Sequence, residues 1–363
     1  MTDPVIASLE TRLITIPLAR PWGADVRELH VIAVEVHDSD GGVGHGFSWT
    51  PTIGAHAVEA LLAHDIAAFA TGRPADPSLW HDAWAHLHEA GSGGITTIAL
   101  AGLDLALWDL RARRRGASVT DVIGRRHDAL PTYGSGVNLH YSLDDLVAQA
   151  RRWVDAGHTA AKIKVGRPDL AEDVERVAAV RDVLGPDRAL MIDANQRWDL
   201  PHATRAMEKL SAFGPAWIEE PLRADDLRAH AELRRRTDVP IALGENLHTV
   251  HRFRDAIDLE AVDVIQPNIV RVGGITPFLE IADLARERGV DLAPHLLPEL
   301  SAQVAFCLPA ETWVEDVEDA GFAQLGALAH PTGVVIERGS ARGGPDVGLG
   351  FRFAPEPHPT KES

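Results

Sequence analysis

The sequence predicts an α/β protein in which a parallel-stranded (β/α) barrel follows an α+β cap, and three observations carry that expectation. Short apolar segments alternate with helical ones from about residue 129 to 317, a pattern that calls for parallel strands joined by crossover helices. Before residue 47 the segments are β-branched or alternate apolar with polar residues. Each central strand also ends in polar or ionisable residues, as barrel strands do where they reach a catalytic mouth.

Taken in order, IASLETRLITIPL and HVIAVEVHD read as strands, with a hairpin signal at Gly41-Gly42. Residues 53–115 read mostly as helix. There AVEALLAHDIAAFATG and TTIALAGLDLALWDLRARRRG are apolar at helical spacing, and the second ends in a cationic turn before Gly116. The central strands are LPTYGSG, AAKIKVG, ALMIDAN, AWIEEP, PIALGEN, VDVIQPN, DLAPHLL and TWVEDVE. Between them, LAEDVERVAAVRDVLG aligns Leu170, Val174, Val177, Ala178 and Leu184 on one helical face, and Gly289 ends ITPFLEIADLARERG. Beyond about residue 325 the Gly-rich tail is too irregular for another βα unit and is expected to return to the cap. The expected divisions are 1–127, 128–325 and 326–363.

Composition narrows the function. The 363 residues are 45% hydrophobic, enough for a large core. Lys and Arg total 35 against 53 for Asp and Glu, and a net charge of -18 argues against nucleic acid as a partner. The start, MTDPVIASLETRL, is neither basic nor steadily apolar, and no segment offers the ~18 apolar residues of a membrane span. The single cysteine, Cys307, lies among apolar neighbours and reads as an inert buried thiol, so a cytoplasmic protein is expected. Gly91-Ser92-Gly93-Gly94 lacks the lysine and the strand-loop-helix setting of a phosphate loop and reads as a turn.

Asp193, Glu219 and Glu245 each end a strand, 26 residues apart, so successive βα units deliver three carboxylates to one mouth. Any one of them could instead cap the following helix. Three together repel one another unless a cation intervenes, and an oxygen-only set favours Mg²⁺, with Mn²⁺ the alternative. Lys162 and Lys164, two apart on a strand, point the same way into the barrel. Exposed lysine pairs are common, but desolvation and a neighbouring metal disfavour the ammonium form, so one of these could serve as a base.

The ordered set Lys162-Ile-Lys164, Asp193-Ala-Asn195, Ile-Glu219-Glu-Pro, Gly-Glu245-Asn, Gln-Pro-Asn268, Pro-His295-Leu and Val-Glu315-Asp resembles the mandelate racemase subgroup of the enolase superfamily over nearly the whole chain. The resemblance implies a modified (β/α)₇β TIM-type barrel, an N-terminal α+β capping domain completed by the C-terminal tail, and a homo-oligomer. It makes Asp193, Glu219 and Glu245 ligands of Mg²⁺, which would hold a substrate carboxylate and stabilise the enediolate left when the α-proton departs. Lys164 becomes the base on one face, and Lys162 helps neutralise the carboxylate. Glu315 becomes a hydrogen-bond donor to the carboxyl, a role needing its protonated form, and Asn195 a polar contact near the metal. On the other face His295, although a lone histidine is usually structural, matches the family's proton-transferring histidine. Cap-loop residues Arg20, Trp22, Trp49 and Thr50 fall where the family covers its barrel mouth. His140, His248 and Arg271 stand near strand ends as candidates for substrate hydroxyls or a distal carboxylate.

One position departs from the family pattern. Asn268 stands where the subgroup pairs an aspartate with the histidine, and an amide stabilises an imidazolium less than a carboxylate does. Racemisation by two matched bases is thereby weakened, and the expected reaction is dehydration of a sugar acid to a 2-keto-3-deoxy acid. A racemase, epimerase or cycloisomerase using the same enediolate is the alternative, and a non-catalytic sugar-acid binding protein a minor one.

Overall fold

The protein is described here by a computed structural model covering residues 4–23, 26–355 and 357. Its first three strands, β1 (Ile6–Trp22), β2 (Val26–Asp38) and β3 (Val43–Thr50), form an antiparallel sheet in that order. At the β2–β3 turn the Asp38 carboxylate accepts the N–H groups of Asp40 and Gly42, both at 2.8 Å, which closes the hairpin. The helix Ile95–Arg114 lies across this sheet and buries Leu100, Leu103, Leu107 and Leu110 in the core beneath it.

Eight parallel strands follow: β4 (Ala129–Ser135), β5 (Ala160–Lys164), β6 (Ala189–Asp193), β7 (Pro215–Glu219), β8 (Ile241–Leu243), β9 (Val264–Ile265), β10 (Asp291–Leu292) and β11 (Val314–Val317). Each from β4 to β9 pairs with the next, and β11 pairs with β4 from Val314↔Thr132 to Val317↔Ser135. Seven helices separate the eight strands, which is the (β/α)₇β arrangement. The ladders of β8, β9 and β10 are only two or three residues long, shorter than the sequence predicts, because the polar ends of those segments turn aside to build the mouth. Between β10 and β11 the seam is held by Thr312 Oγ1 donating to the Leu292 carbonyl at 2.5 Å.

Five barrel helices begin with a side-chain cap: Ser142, Asp169, Asp199, Asp226 and Thr249 each accept a first-turn N–H. The helix Ile275–Arg288 has none of its own, since it starts at Gly274. Its cap comes from the other domain. Asp104, on the helix Ile95–Arg114, accepts Thr276 N–H at 3.0 Å and the Thr276 hydroxyl at 2.5 Å. Trp80 and Trp108 donate to the Gly273 carbonyl and to Thr276 Oγ1, so three cap residues grip one barrel loop.

The tail does two things. The tail after residue 325 adds no further βα unit; instead β12 (Val334–Glu337) and β13 (Ser340–Gly343) form a hairpin whose second strand pairs antiparallel with Ala129–Pro131 of β4. The apolar run Val334–Ile336 carries it, obscured in the sequence by flanking glycines. The chain then reaches the cap, where Leu349 N–H donates to Asp109 at 2.7 Å and Phe351 and Phe353 lie 4.8 and 5.3 Å from the Phe47 ring. Cys307 is buried, its thiol pushed up to about 12 by burial and so inert at neutral pH.

Burial pushes the Asp104 carboxyl up to about 7 although its Thr276 hydrogen bonds oppose this. A carboxyl raised on folding costs nothing below its unfolded value near 4, and the cost grows as pH rises to the folded value. Asp104→Asn removes that titration. In urea melts we expect wild type to lose roughly 3–5 kcal/mol relative to the variant between pH 4 and pH 8. A pH-independent difference would exclude this cost.

Candidate active site

The strand ends bring one group of ionisable side chains into a space closed to water. Lys162 and Lys164, side by side on β5, face Asp193, Glu219, Glu245 and Glu315 from neighbouring strands, and all six are buried. Lys162 Nζ donates to both oxygens of Glu219 at 2.9 and 2.8 Å and contacts Glu315 at 2.8 Å, while Lys164 Nζ donates to Asp193. His295 Nε2 meets Glu245 at 2.6 Å. Each of the three carboxylates at the 26-residue spacing is thus turned toward a different cationic or protonatable side chain.

The backbone makes this possible by bending sharply just beyond the strands. Asn195, Glu220 and Leu296, following Asp193, Glu219 and His295, all have positive φ, a conformation costing side-chain-bearing residues roughly 1–2 kcal/mol each. Before Glu245 stands Gly244, at φ 150, where a Cβ would lie 2.7 Å from Gln266 N. Only glycine lets β8 run this close to the next strand.

The charges are not balanced within the site. Burial raises Glu219 to about 7 despite Lys162 beside it, and raises Glu220, adjacent to Glu245, well above the carboxylate range. Glu220 is thus held as the neutral acid, and four buried carboxylates remain to face two lysines. That deficit, with an oxygen donor set, fits a hard divalent cation held by Asp193, Glu219 and Glu245. In this structure Glu219 and Glu245 converge within metal-binding distance together with His295, whereas Asp193 is drawn to Lys164.

The partners each group meets bear on two charge states. Lys162 favours the ionised form of Glu315. Burial opposes its charge, but Lys162 beside it outweighs burial and brings it down to about 2, and it accepts the Leu296 N–H at 2.9 Å. Lys164 is an ammonium, because Asp193 outweighs the burial that would discharge it. Its neutral form requires Asp193 to be engaged elsewhere.

Asn268 fixes the state of His295. Its Oδ1 accepts the N–H groups of Val270 and Arg271, both at 3.1 Å, so its amide nitrogen faces His295 Nδ1 at 3.1 Å. Nδ1 is therefore the acceptor, and the neutral ring carries its proton on Nε2.

A pocket of about 900 Å³ opens over Lys164, lined among others by Trp22, His140 and Asn195. Arg20 stands nearby, donating to Tyr141 Oη at 2.9 Å. Other candidates are placed differently. Arg271 donates to the Glu245 carbonyl at 3.0 Å and to Asn246, and His248 contacts the Arg271 carbonyl at 3.2 Å, so both brace the Glu245 loop. Thr50 and Trp49 are buried in the cap, and neither the Thr50 hydroxyl nor Trp49 Nε1 has a hydrogen-bond partner. Arg167 and Arg197 also line the pocket. Neither was singled out from the sequence, where arginines just past a strand end resemble ordinary solvated residues.

Residues 10–124 match the family model for the mandelate racemase / muconate lactonizing enzyme N-terminal domain, and residues 145–357 that for the enolase C-terminal domain-like family. The chain is 35% identical to the 3,6-anhydro-alpha-L-galactonate cycloisomerase of Streptomyces coelicolor over 328 residues, 90% of each protein. It is 38% identical to the L-talarate/galactarate dehydratase of Salmonella typhimurium over 301 residues, 80% of this chain and 74% of that one. Its fold matches the crystal structure of L-talarate dehydratase from Polaromonas sp. JS666, complexed with Mg and L-glucarate, at a TM-score of 0.87 and 35% identity over 97% of this chain and 96% of that one.

Saturation with Mg²⁺ at about a hundred times its Kd is expected to stabilise the protein by about 2.7 kcal/mol. In Glu219→Gln that gain should largely vanish. Denaturation with Mg²⁺ and with EDTA measures it, and an equal gain in both proteins would remove Glu219 from the metal site.

Proposed function

Because the chain belongs to the mandelate racemase/muconate lactonizing enzyme family of the enolase superfamily, we propose that it dehydrates a sugar acid to a 2-keto-3-deoxy acid. The chemistry of the superfamily is Mg²⁺-dependent removal of the proton beside a carboxylate through an enediolate. Asp193, Glu219 and Glu245 would hold Mg²⁺, which would supply positive charge against the substrate carboxylate as the α-proton leaves.

The rest falls to the chain's own residues. Lys164, as the neutral amine, takes the α-proton on one face, and Lys162 adds positive charge beside the acidic cluster. When the carboxylate re-forms, the electron pair expels the β-hydroxyl as His295 Nε2–H passes its proton to it, so that it leaves as water; solvent then reprotonates His295, and the resulting enol becomes the keto acid. His295 Nε2–H is the hydrogen-bond donor to that departing oxygen.

The observation that carries dehydration over racemisation is the Asn268 amide facing His295 Nδ1 at 3.1 Å. With its proton on Nε2, the ring has no free nitrogen toward the mouth with which to take a second α-proton. A cycloisomerase remains the second reading, favoured by the full-length similarity to the Streptomyces coelicolor enzyme. A small-molecule carboxylate is then the sole partner of a cytoplasmic homo-oligomer. The net charge of -18 supports the exclusion of nucleic acid, and among the described residues no helix is long and apolar enough to cross a membrane.

The test is a screen of the Mg²⁺-loaded protein against mono- and diacid sugars, with keto acid trapped by semicarbazide. Lys164→Ala and His295→Ala should each lower kcat by roughly 10²–10⁴. α-Proton exchange in D₂O without any keto acid would sink dehydration and leave the isomerase reading. Asn268→Asp puts an acceptor at Nδ1, and exchange on the His295 face, followed by NMR, should then rise at least about tenfold. No rise would mean that Asn268 does not set the reaction.

A further inference from the structure

Beyond Lys164 the pocket is cationic, which is unexpected in a chain of net charge -18. Lys164, Arg167 and Arg197 line it against one carboxylate, Asp199, and Asp199 is occupied in accepting the His202 N–H at 2.8 Å as a helix cap.

Arg167 is anchored by a hydrogen bond, and Arg197 by the packing of its stem. Gly166 has φ 106, and a Cβ there would stand 2.7 Å from Arg197 Cδ, so the arginine stem lies directly against the glycine backbone. Among the described residues its exposed guanidinium has neither a hydrogen bond nor an ion pair. Next in the chain, Arg167 donates to the Tyr141 carbonyl at 3.0 Å, while its buried Nε finds no hydrogen-bond acceptor and its nearest carboxylate, Glu172, is 3.8 Å away. His140 records the local field. Burial lowers its pKa, and Arg167, Arg20 and Arg176 lower it further.

We propose that Arg197 and Arg167 form an anion subsite at the outer end of the mouth pocket that holds the second carboxylate of a sugar diacid. This rests on the proton-abstraction reading above, in which the first carboxylate lies at the inner, metal end. A guanidinium fork matches a carboxylate in shape and charge, and a terminal CH₂OH cannot use it in that way. The two arginines are specificity residues and touch no reacting atom.

The experiment compares the Mg²⁺-loaded enzyme on pairs differing only at the far end, galactarate with galactonate and glucarate with gluconate, and adds gluconate 6-phosphate. Wild type is expected to show kcat/KM at least about tenfold higher for the diacid. Arg197→Ala and Arg167→Gln should each cut the diacid-to-monoacid ratio about tenfold, chiefly through KM. The subsite is overturned by a monoacid preference, by a ratio unchanged in both variants, or by preference for the phosphate-ended acid. If nothing turns over or exchanges its α-proton, calorimetry separates the two claims. Diacid binding lost in Arg197→Ala would keep the subsite and discard the reaction, and absence of diacid binding to wild type would discard the subsite.

Discussion

Crowding of negative charge in a desolvated space governs this molecule. Asp193, Glu219, Glu245 and Glu315 stand within one barrel mouth, largely buried, where water screens them poorly. Lys162 answers part of that charge by spanning Glu219 and Glu315, and Lys164 answers Asp193. Without the β5 alternation that points both lysines inward, the fold would bury several uncompensated ions at several kcal/mol each. The same two lysines that compensate these carboxylates include the proposed base, Lys164.

The cap contributes to this arrangement from a distance. Trp80, Asp104 and Trp108 grip the segment Gly273–Thr276, which continues from the loop where Asn268 accepts the Val270 and Arg271 N–H groups. Those bonds orient the Asn268 amide toward His295 Nδ1, so the loop held by the cap is also the one that faces this ring. Packing and proton chemistry are continuous along this path of side chains.

Much of this was legible in the sequence. Strand alternation and polar strand ends located the barrel, and the even spacing of Asp193, Glu219 and Glu245 located the acidic cluster. Local patterns could not supply relations across the chain. Asp104 and Thr276 are 172 residues apart, and nothing near either residue shows that one caps the other's helix. The charge states of Glu315 and Lys164 depend on which partner each one meets, so single positions carry no sign of them. Arg167 and Arg197 acquire meaning only once Gly166, Tyr141 and Lys164 surround them.

The borrowed cap on Ile275–Arg288 bears on how separable the two domains are. A barrel whose every helix ended its own backbone bonding could be exchanged among relatives as a module. Here one helix begins at a glycine and takes its terminating carboxylate from the preceding domain, so Asp104 and Thr276 form a single inheritance unit. A chimera that replaced one side of that contact without the other would start this helix with unmet N–H groups. It would also loosen the loop that holds Asn268, so that domain shuffling would register first as altered chemistry at the mouth.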